Sequence, residues 1–151
     1  MHYNPFRTFI GLVLVFYFCV LPLHADTNEE PYFNPAVGGP ESPSYWVDLG
    51  GLYATYGSYQ AAVKAYEKAL NLDPNSSTIY YDLAVAQAEL GHMDQALDYV
   101  NKAISMAPDQ DRYYYARARI LLLTGRLDRA VEDFRKAAGL GNPDAIAYLN
   151  Q

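Results

Sequence analysis

The chain is almost without cysteine. Cys19 is the only one among 151 residues, and it lies inside an apolar run near the N-terminus. Loss of that run would leave no thiol, which excludes disulfides, thiol catalysis and cysteine-based zinc sites from the remainder. Histidine is nearly as scarce. His2 and His24 flank the apolar run, and His92 falls at an expected turn, so no pair is spaced to share a metal. No serine sits in a motif that supplies a catalytic base, and the isolated glycines form no phosphate-cradling loop. Asp94/Asp98 and Asp128/Glu132, each four apart, read as solvated helix-surface charge rather than acid–base pairs. The expectation is therefore no enzyme, no metal and no cofactor. Positive charge is short as well. All 17 acidic residues lie from Asp26 onward, against ten of the 11 basic ones, so residues 26–151 carry a net charge of −7. A nucleic-acid binder needs a basic surface to neutralise phosphates, and a membrane-surface module needs a polybasic patch; neither is here.

Long apolar runs are limited to one. Phe9 to Leu21 is a run of 13 residues, preceded by Arg7 and the amino terminus and broken by Pro22. Leu23-His24-Ala25 follows, with Ala25 as the small residue before Asp26. This is the layout of a secretory signal over residues 1–25. An uncleaved membrane anchor, which wants about 17–25 apolar residues, ranks second. A lipoprotein cut before Cys19 ranks third, because Phe16, Tyr17 and Phe18 are bulky, and a core helix ranks last. The expected address is export, with the periplasm first and a membrane-anchored form second. Membrane contact is expected only through this segment if it is uncleaved. Residues 26–42, with four acids, three prolines and two glycines, show no helical or strand period and read as a disordered acidic linker.

What the chain has in abundance is self-similarity. From residue 43 it matches itself at a step of 34. Trp46, Tyr80 and Tyr114 keep the step, as do Gly57, Gly91 and Gly125, and Ala62, Ala96 and Ala130. Ala69, Ala103 and Ala137 also keep it, with Lys68, Lys102 and Lys136; Pro74 and Pro108 are followed by Asn142 at the same register. Each copy holds two helical stretches split by a glycine. The first helices are expected at Pro43–Tyr56, Ser77–Leu90 and Asp111–Thr124, the second at Tyr59–Asn71, Met93–Met106 and Leu127–Ala138. The glycines fall where the chain reverses and a left-handed conformation is needed. Pro74 and Pro108 end the second helices, and Ser42 before Pro43 reads as an N-cap. Ala84, Ala96, Ala118 and Ala130 let paired helices approach closely, while large residues such as Trp46, Leu49, Tyr66, Leu83 and Phe134 fill the space between units.

A step of 34 with this pattern resembles the tetratricopeptide repeat family. The resemblance covers about 100 residues, Pro43 to Asn142, in three units of approximately 43–76, 77–110 and 111–144. It implies an all-α fold, a right-handed superhelical α-solenoid of three helix hairpins. The first copy is near the family ideal in Trp46, Leu49, Gly50, Tyr53, Ala62, Tyr66, Ala69 and Pro74. Gln87 and Val100 in the second copy and Arg117 in the third depart from it and are expected to loosen the register slightly. Asn142-Pro143 opens a last short stretch over 143–151, expected to cap the solenoid end with a polar outer side.

The family lines a concave groove with its first helices. By that resemblance the groove positions are Ser44, Val47 and Gly51, then Thr78, Tyr81, Val85 and Ala88, then Arg112, Tyr115, Arg119 and Leu122. They recur on one helix face. Val47, Tyr81, Val85, Arg112, Tyr115, Arg119 and Leu122 are the candidate partner-binding residues, a mixture of aromatic and arginine that interfaces favour. The carboxylate clamp of some family members is missing at Val47, Gly51, Thr78, Asp82 and Val85. The units carry net charges of −1, −4 and +2 in order. The expected function is a non-catalytic scaffold or adaptor of the bacterial cell envelope that binds a protein or peptide. A self-assembling structural subunit (a homo-oligomer) and a small-molecule binder are the alternatives.

Overall fold

The computed structural model describes residues 38–150. The proposed signal, and all of the acidic segment before residue 38, lie outside the described residues. Among the described residues the structure is entirely helical: α1 (Pro43–Thr55), α2 (Tyr59–Leu72), α3 (Ser77–Glu89), α4 (Met93–Met106), α5 (Asp111–Leu123), α6 (Leu127–Gly139) and α7 (Pro143–Leu149). None of these helices is long and apolar enough to cross a membrane. Each helix packs on the next in chain order, and α1, α3 and α5 also touch in sequence, as stacked hairpins require. The three hairpins fall where the 34-residue step puts them, with ends shifted by one residue at most.

Every hairpin turns by the same device. Gly57, Gly91 and Gly125 have φ of +71°, +82° and +75°. In each turn the glycine N–H donates three residues back and the next N–H donates five back, as in Gly57 to Ala54 and Ser58 to Tyr53. These paired bonds satisfy carbonyls the helix end would otherwise leave open, and the left-handed residue they need is cheapest as glycine. Gly141, at φ +99°, closes α6 in the same way.

The helix faces meet through alanine. Ala62, Ala84, Ala96 and Ala118 are fully enclosed, and Ala130 nearly so. The large partners form two clusters: one joins α1, α2 and α3 through Trp46, Leu49, Tyr66 and Leu83, the other runs from α3 to α7 through Val100, Tyr113, Leu121 and Phe134. The recurrent lysines also have a job. Lys68 Nζ lies 3.9 Å above the Trp46 ring, and Lys136 Nζ 5.7 Å above Tyr114, two steps along. A cation over an aromatic face is attracted by its quadrupole.

Four expectations are corrected. Ser42 does not cap α1; its hydroxyl bonds Ser44 Oγ at 2.7 Å. Residues 38–42, placed in the linker, belong to the fold: Ser42 N–H donates to Gly39 O, and Trp46 Nε1 donates to Pro40 O at 2.6 Å. Tyr114 OH donates to Pro108 O at 3.0 Å, two steps on, so Pro40 opens the same turn ahead of the first unit. The departures Gln87 and Arg117 do not leave gaps. Gln87 is buried and shares a 2.8 Å hydrogen bond with His92 Nδ1. Arg117 forks onto Asp133 (Nε–Oδ2 2.7 Å, Nη2–Oδ1 2.8 Å) and reaches Asn101 Oδ1 at 2.7 Å. Asp133, the partner of Arg117, is buried. Finally, α7 is anchored by Ala145, fully buried, and by Tyr148 stacked on Phe134 at 4.1 Å, but its outward side is apolar, with Ile146 44% and Leu149 38% exposed.

Candidate functional site

The first helices lie side by side and leave clefts along their seams. The α1–α3 seam opens a cleft of about 420 Å³ floored by Val47 and Ile79 and rimmed by Ser44, Asp48, Asp73 and Thr78. The α3–α5 seam holds one of about 220 Å³ between Val85, Ala88 and Glu89 on one side and Ala116, Arg119 and Leu123 on the other. The cause is the repeat itself. Groove positions recur every three or four residues, so they share one face of each first helix, and the small Ala88 and Ala116 leave a hollow where helices cross.

The expected groove residues divide into three groups. Val47, Val85 and Arg119 line the clefts directly. Tyr81 and Arg112 stand on the wall between them. The Tyr81 ring lies 5.1 Å from Tyr113, the Arg112 guanidinium sits 4.9 Å over Tyr81 and 5.3 Å from Tyr113, and Arg112 Nη2 donates to Thr78 Oγ1 at 3.4 Å. Arg112 is exposed beyond that sandwich. Tyr115 and Leu122 turn toward the core: Tyr115 packs edge-on against Phe134 at 5.7 Å, and Leu122 is half-buried on the same cluster. The register explains the difference. Tyr81 meets a first helix that carries Tyr113, whereas Tyr115 faces a short α7 with Ala147 one step on.

Sequence reasoning passed over Leu123 and Ala116, and named Asp82 only as a position where the carboxylate clamp is missing. Leu123 is 68% exposed, an apolar residue at a helix end where the pattern gave no reason to seek one. Asp82 is half-buried on α3, four residues after Thr78 and on the same face. Desolvation raises its carboxyl to about 6, and the Arg112 charge only partly opposes this. Tyr66, whose ring lies under Gly50, is pushed up to about 12 by burial and by the Asp82 charge.

Paired helices of near-equal length, repeated at one step and leaving clefts along a single set of seams, define an α-solenoid of the helical-repeat class. The chain belongs to the tetratricopeptide repeat family: family models described as tetratricopeptide repeat match residues 53–120 and 111–140. Among solved structures, an Arabidopsis OM64 TPR domain is similar with 25% identity and a TM-score of 0.68, over 72% of this chain and 93% of that one. The first TPR domain of Spaghetti (RPAP3), solved bound to an HSP90 peptide, is similar in fold at 21% identity and a TM-score of 0.68, over 74% and 90%. MamA is similar at 27% identity and a TM-score of 0.64, over 71% and 63%. Among curated proteins no sequence matches significantly.

Proposed function

We propose that this protein is a non-catalytic interaction scaffold of the bacterial cell envelope that holds a protein or peptide segment along its first-helix groove. The observation that carries the reading is the pair of clefts on consecutive seams, joined by the Tyr81–Arg112 wall. An extended segment crossing both seams would bury apolar side chains at Val47/Ile79 and at Val85/Leu123, with polar groups on either rim. Aromatic and arginine anchors around partly apolar hollows are what peptide interfaces use. The signal-like N-terminal layout supports export, and the acidic overall charge supports a protein rather than a nucleic-acid partner. A second reading, self-assembly through the repeats, is favoured by the apolar outward side of α7 at Ile146 and Leu149; sizing of the purified protein tests it, a monomer counting against it.

The groove reading is tested by placing a photocrosslinking residue at Val85, and in parallel at Gln95 on an exposed face of α4. The expected outcome is a discrete adduct from the envelope fraction at Val85 only. Tyr81→Ala with Arg119→Ala should reduce that adduct at least severalfold while far-ultraviolet circular dichroism stays helical. Equal adducts at both positions, or capture unchanged by the double substitution, would overturn it.

A further inference from the structure

The α1–α3 cleft is unlike its neighbour. Its rim carries Asp48 and Asp73 and no basic residue. One turn further along the same seam the register holds Gly51, Val85 and Arg119 at successive 34-residue steps. The first unit thus lacks the side chain that fills this place in the other two. A Cβ built on Gly51 would stand 3.9 Å from the Tyr66 hydroxyl and meet nothing closer. Gly50 differs: a Cβ there would collide with the Tyr66 ring, so Gly50 serves packing. Gly51, held in an ordinary helical conformation, leaves open space above a phenol oxygen.

Asp82, on α3, lies near enough to Tyr66 for its charge to act on the phenol below that space. Among the described residues it makes no hydrogen bond and no ion pair. The nearest cation, Arg112, is engaged by Thr78, Tyr81 and Tyr113 instead. The charged and titratable groups that act on or with Asp82 are Tyr66 on α2, Tyr81 on α3 and Arg112 on α5. A half-buried carboxylate without a partner is costly, and a cation brought to it regains much of that cost.

We infer that the guest of this groove carries a lysine or arginine, whose side chain enters over Gly51 between the Tyr66 hydroxyl and the Asp82 carboxylate. Charge complementarity chooses the occupant: the only charged side chains lining the α1–α3 cleft are the carboxylates of Asp48 and Asp73, whereas the α3–α5 cleft has Arg119 for an acidic or neutral neighbour in the same segment. The inference rests on the groove reading and adds the chemistry of the guest. Binding should weaken as pH falls through about 6, where the Asp82 carboxylate takes up a proton.

The probe is a library of displayed random peptides panned on the folded chain at neutral pH, with the enriched peptides resynthesised and mapped by amide chemical shifts. The expected outcome is a shared basic position, with shifts at Gly51 and Asp82. Asp82→Asn, which keeps shape and removes charge, should weaken those peptides roughly tenfold or more, the loss expected for a hydrogen bond to a charged group. Gly51→Val, which copies Val85 at the same register, should do the same by occupying the space. Lowering the pH to about one unit below the Asp82 value should mimic Asp82→Asn. Enriched peptides without a shared basic position, or with affinity unchanged by Asp82→Asn, overturn the inference. In those cases shifts confined to α1, α3 and α5 leave the groove reading standing, and shifts on α2, α4 and α6 remove it too. A library that yields no groove binder overturns the inference and leaves the groove reading to the crosslinking result.

Discussion

Arg117 and Asp133 show how a single residue can be misjudged alone and understood as half of a pair. The registers that hold Arg117 and Asp133 in the third unit hold Leu83 and Tyr99 in the second, and Leu49 and Ala65 in the first. An apolar contact has been exchanged for an ion pair at both ends together. The signal was present in the sequence, but only a joint reading of positions 16 apart on two helices reveals it; read singly, Arg117 is a lost leucine and Asp133 a surface acid. The bidentate fork, with Asn101 as a third partner and Tyr114 beneath the guanidinium at 5.7 Å, satisfies both charges. The hydrogen bonds to Asp133 hold Arg117 more firmly protonated despite its partial burial. Restoring the family's leucine by Arg117→Leu should therefore destabilise the fold, because Asp133 would remain buried without a partner. The side chains are 21% and 9% exposed, so the cost belongs near the lower end of the buried-pair range, roughly 2–4 kcal/mol. Urea titration of the single variant checks this. Arg117→Leu combined with Asp133→Leu should recover most of the loss, and a double variant as weak as the single one would show that the pair is not the cause.

Helices were the most legible level. A glycine at a fixed step, an alanine stripe and a recurrent aromatic locate six helices to within a residue at each end, because backbone reversal and close helix approach admit few residue types. Caps were less legible, since a serine or asparagine hydroxyl or amide can bond several local partners. Ser42 looked like a cap and is none. Asn142, read only as an opening before Pro143, is the one helix cap made by a side chain among the described residues: its Oδ1 accepts from Ala145 N–H at 2.9 Å, while its Nδ2 donates to Asp111 Oδ2 at 2.8 Å. Prolines hold this register at Pro74 and Pro108, and a proline ring cannot make either bond. Asn142 thus replaces turn rigidity with a tie from the α7 entry back to the start of α5. Asn142→Ala should cost about 1–2 kcal/mol, a cap plus one further hydrogen bond to a charged group. The loss should be local. Amide exchange is expected to speed up in α7 and at the start of α5, with α1 and α2 unaffected; uniform acceleration along the chain would contradict the local tie.

For the molecule as a whole, stacking order was legible and the groove only in part. Periodicity places residues on a face, but it does not say which of them a neighbouring helix will claim. Tyr81 and Tyr115 share a register yet part company, because the helices that follow them differ: α5 offers Tyr113, whereas α7 is short and leaves Tyr115 to Phe134. The same dependence on neighbours governs stability. The larger core cluster takes Leu97, Val100 and Ala103 from α4 and encloses them with Tyr113, Tyr114, Leu121 and Phe134 from α5 and α6. A chain ending at residue 110 would keep the first two hairpins but strip the outer side from α4, exposing side chains that are 7% accessible or less in the full fold. A solenoid gains its stability from interfaces between units, and about three units are needed before those gains exceed the ordering cost. Truncation after Gln110 is therefore expected to abolish cooperative melting and leave weak, gradually fading helicity by circular dichroism. A sharp transition in the truncated chain, near that of the full protein, would mean that the α1–α3 cluster around Trp46, Tyr66 and Leu83 is a self-sufficient core, and that the third hairpin serves the groove rather than the fold.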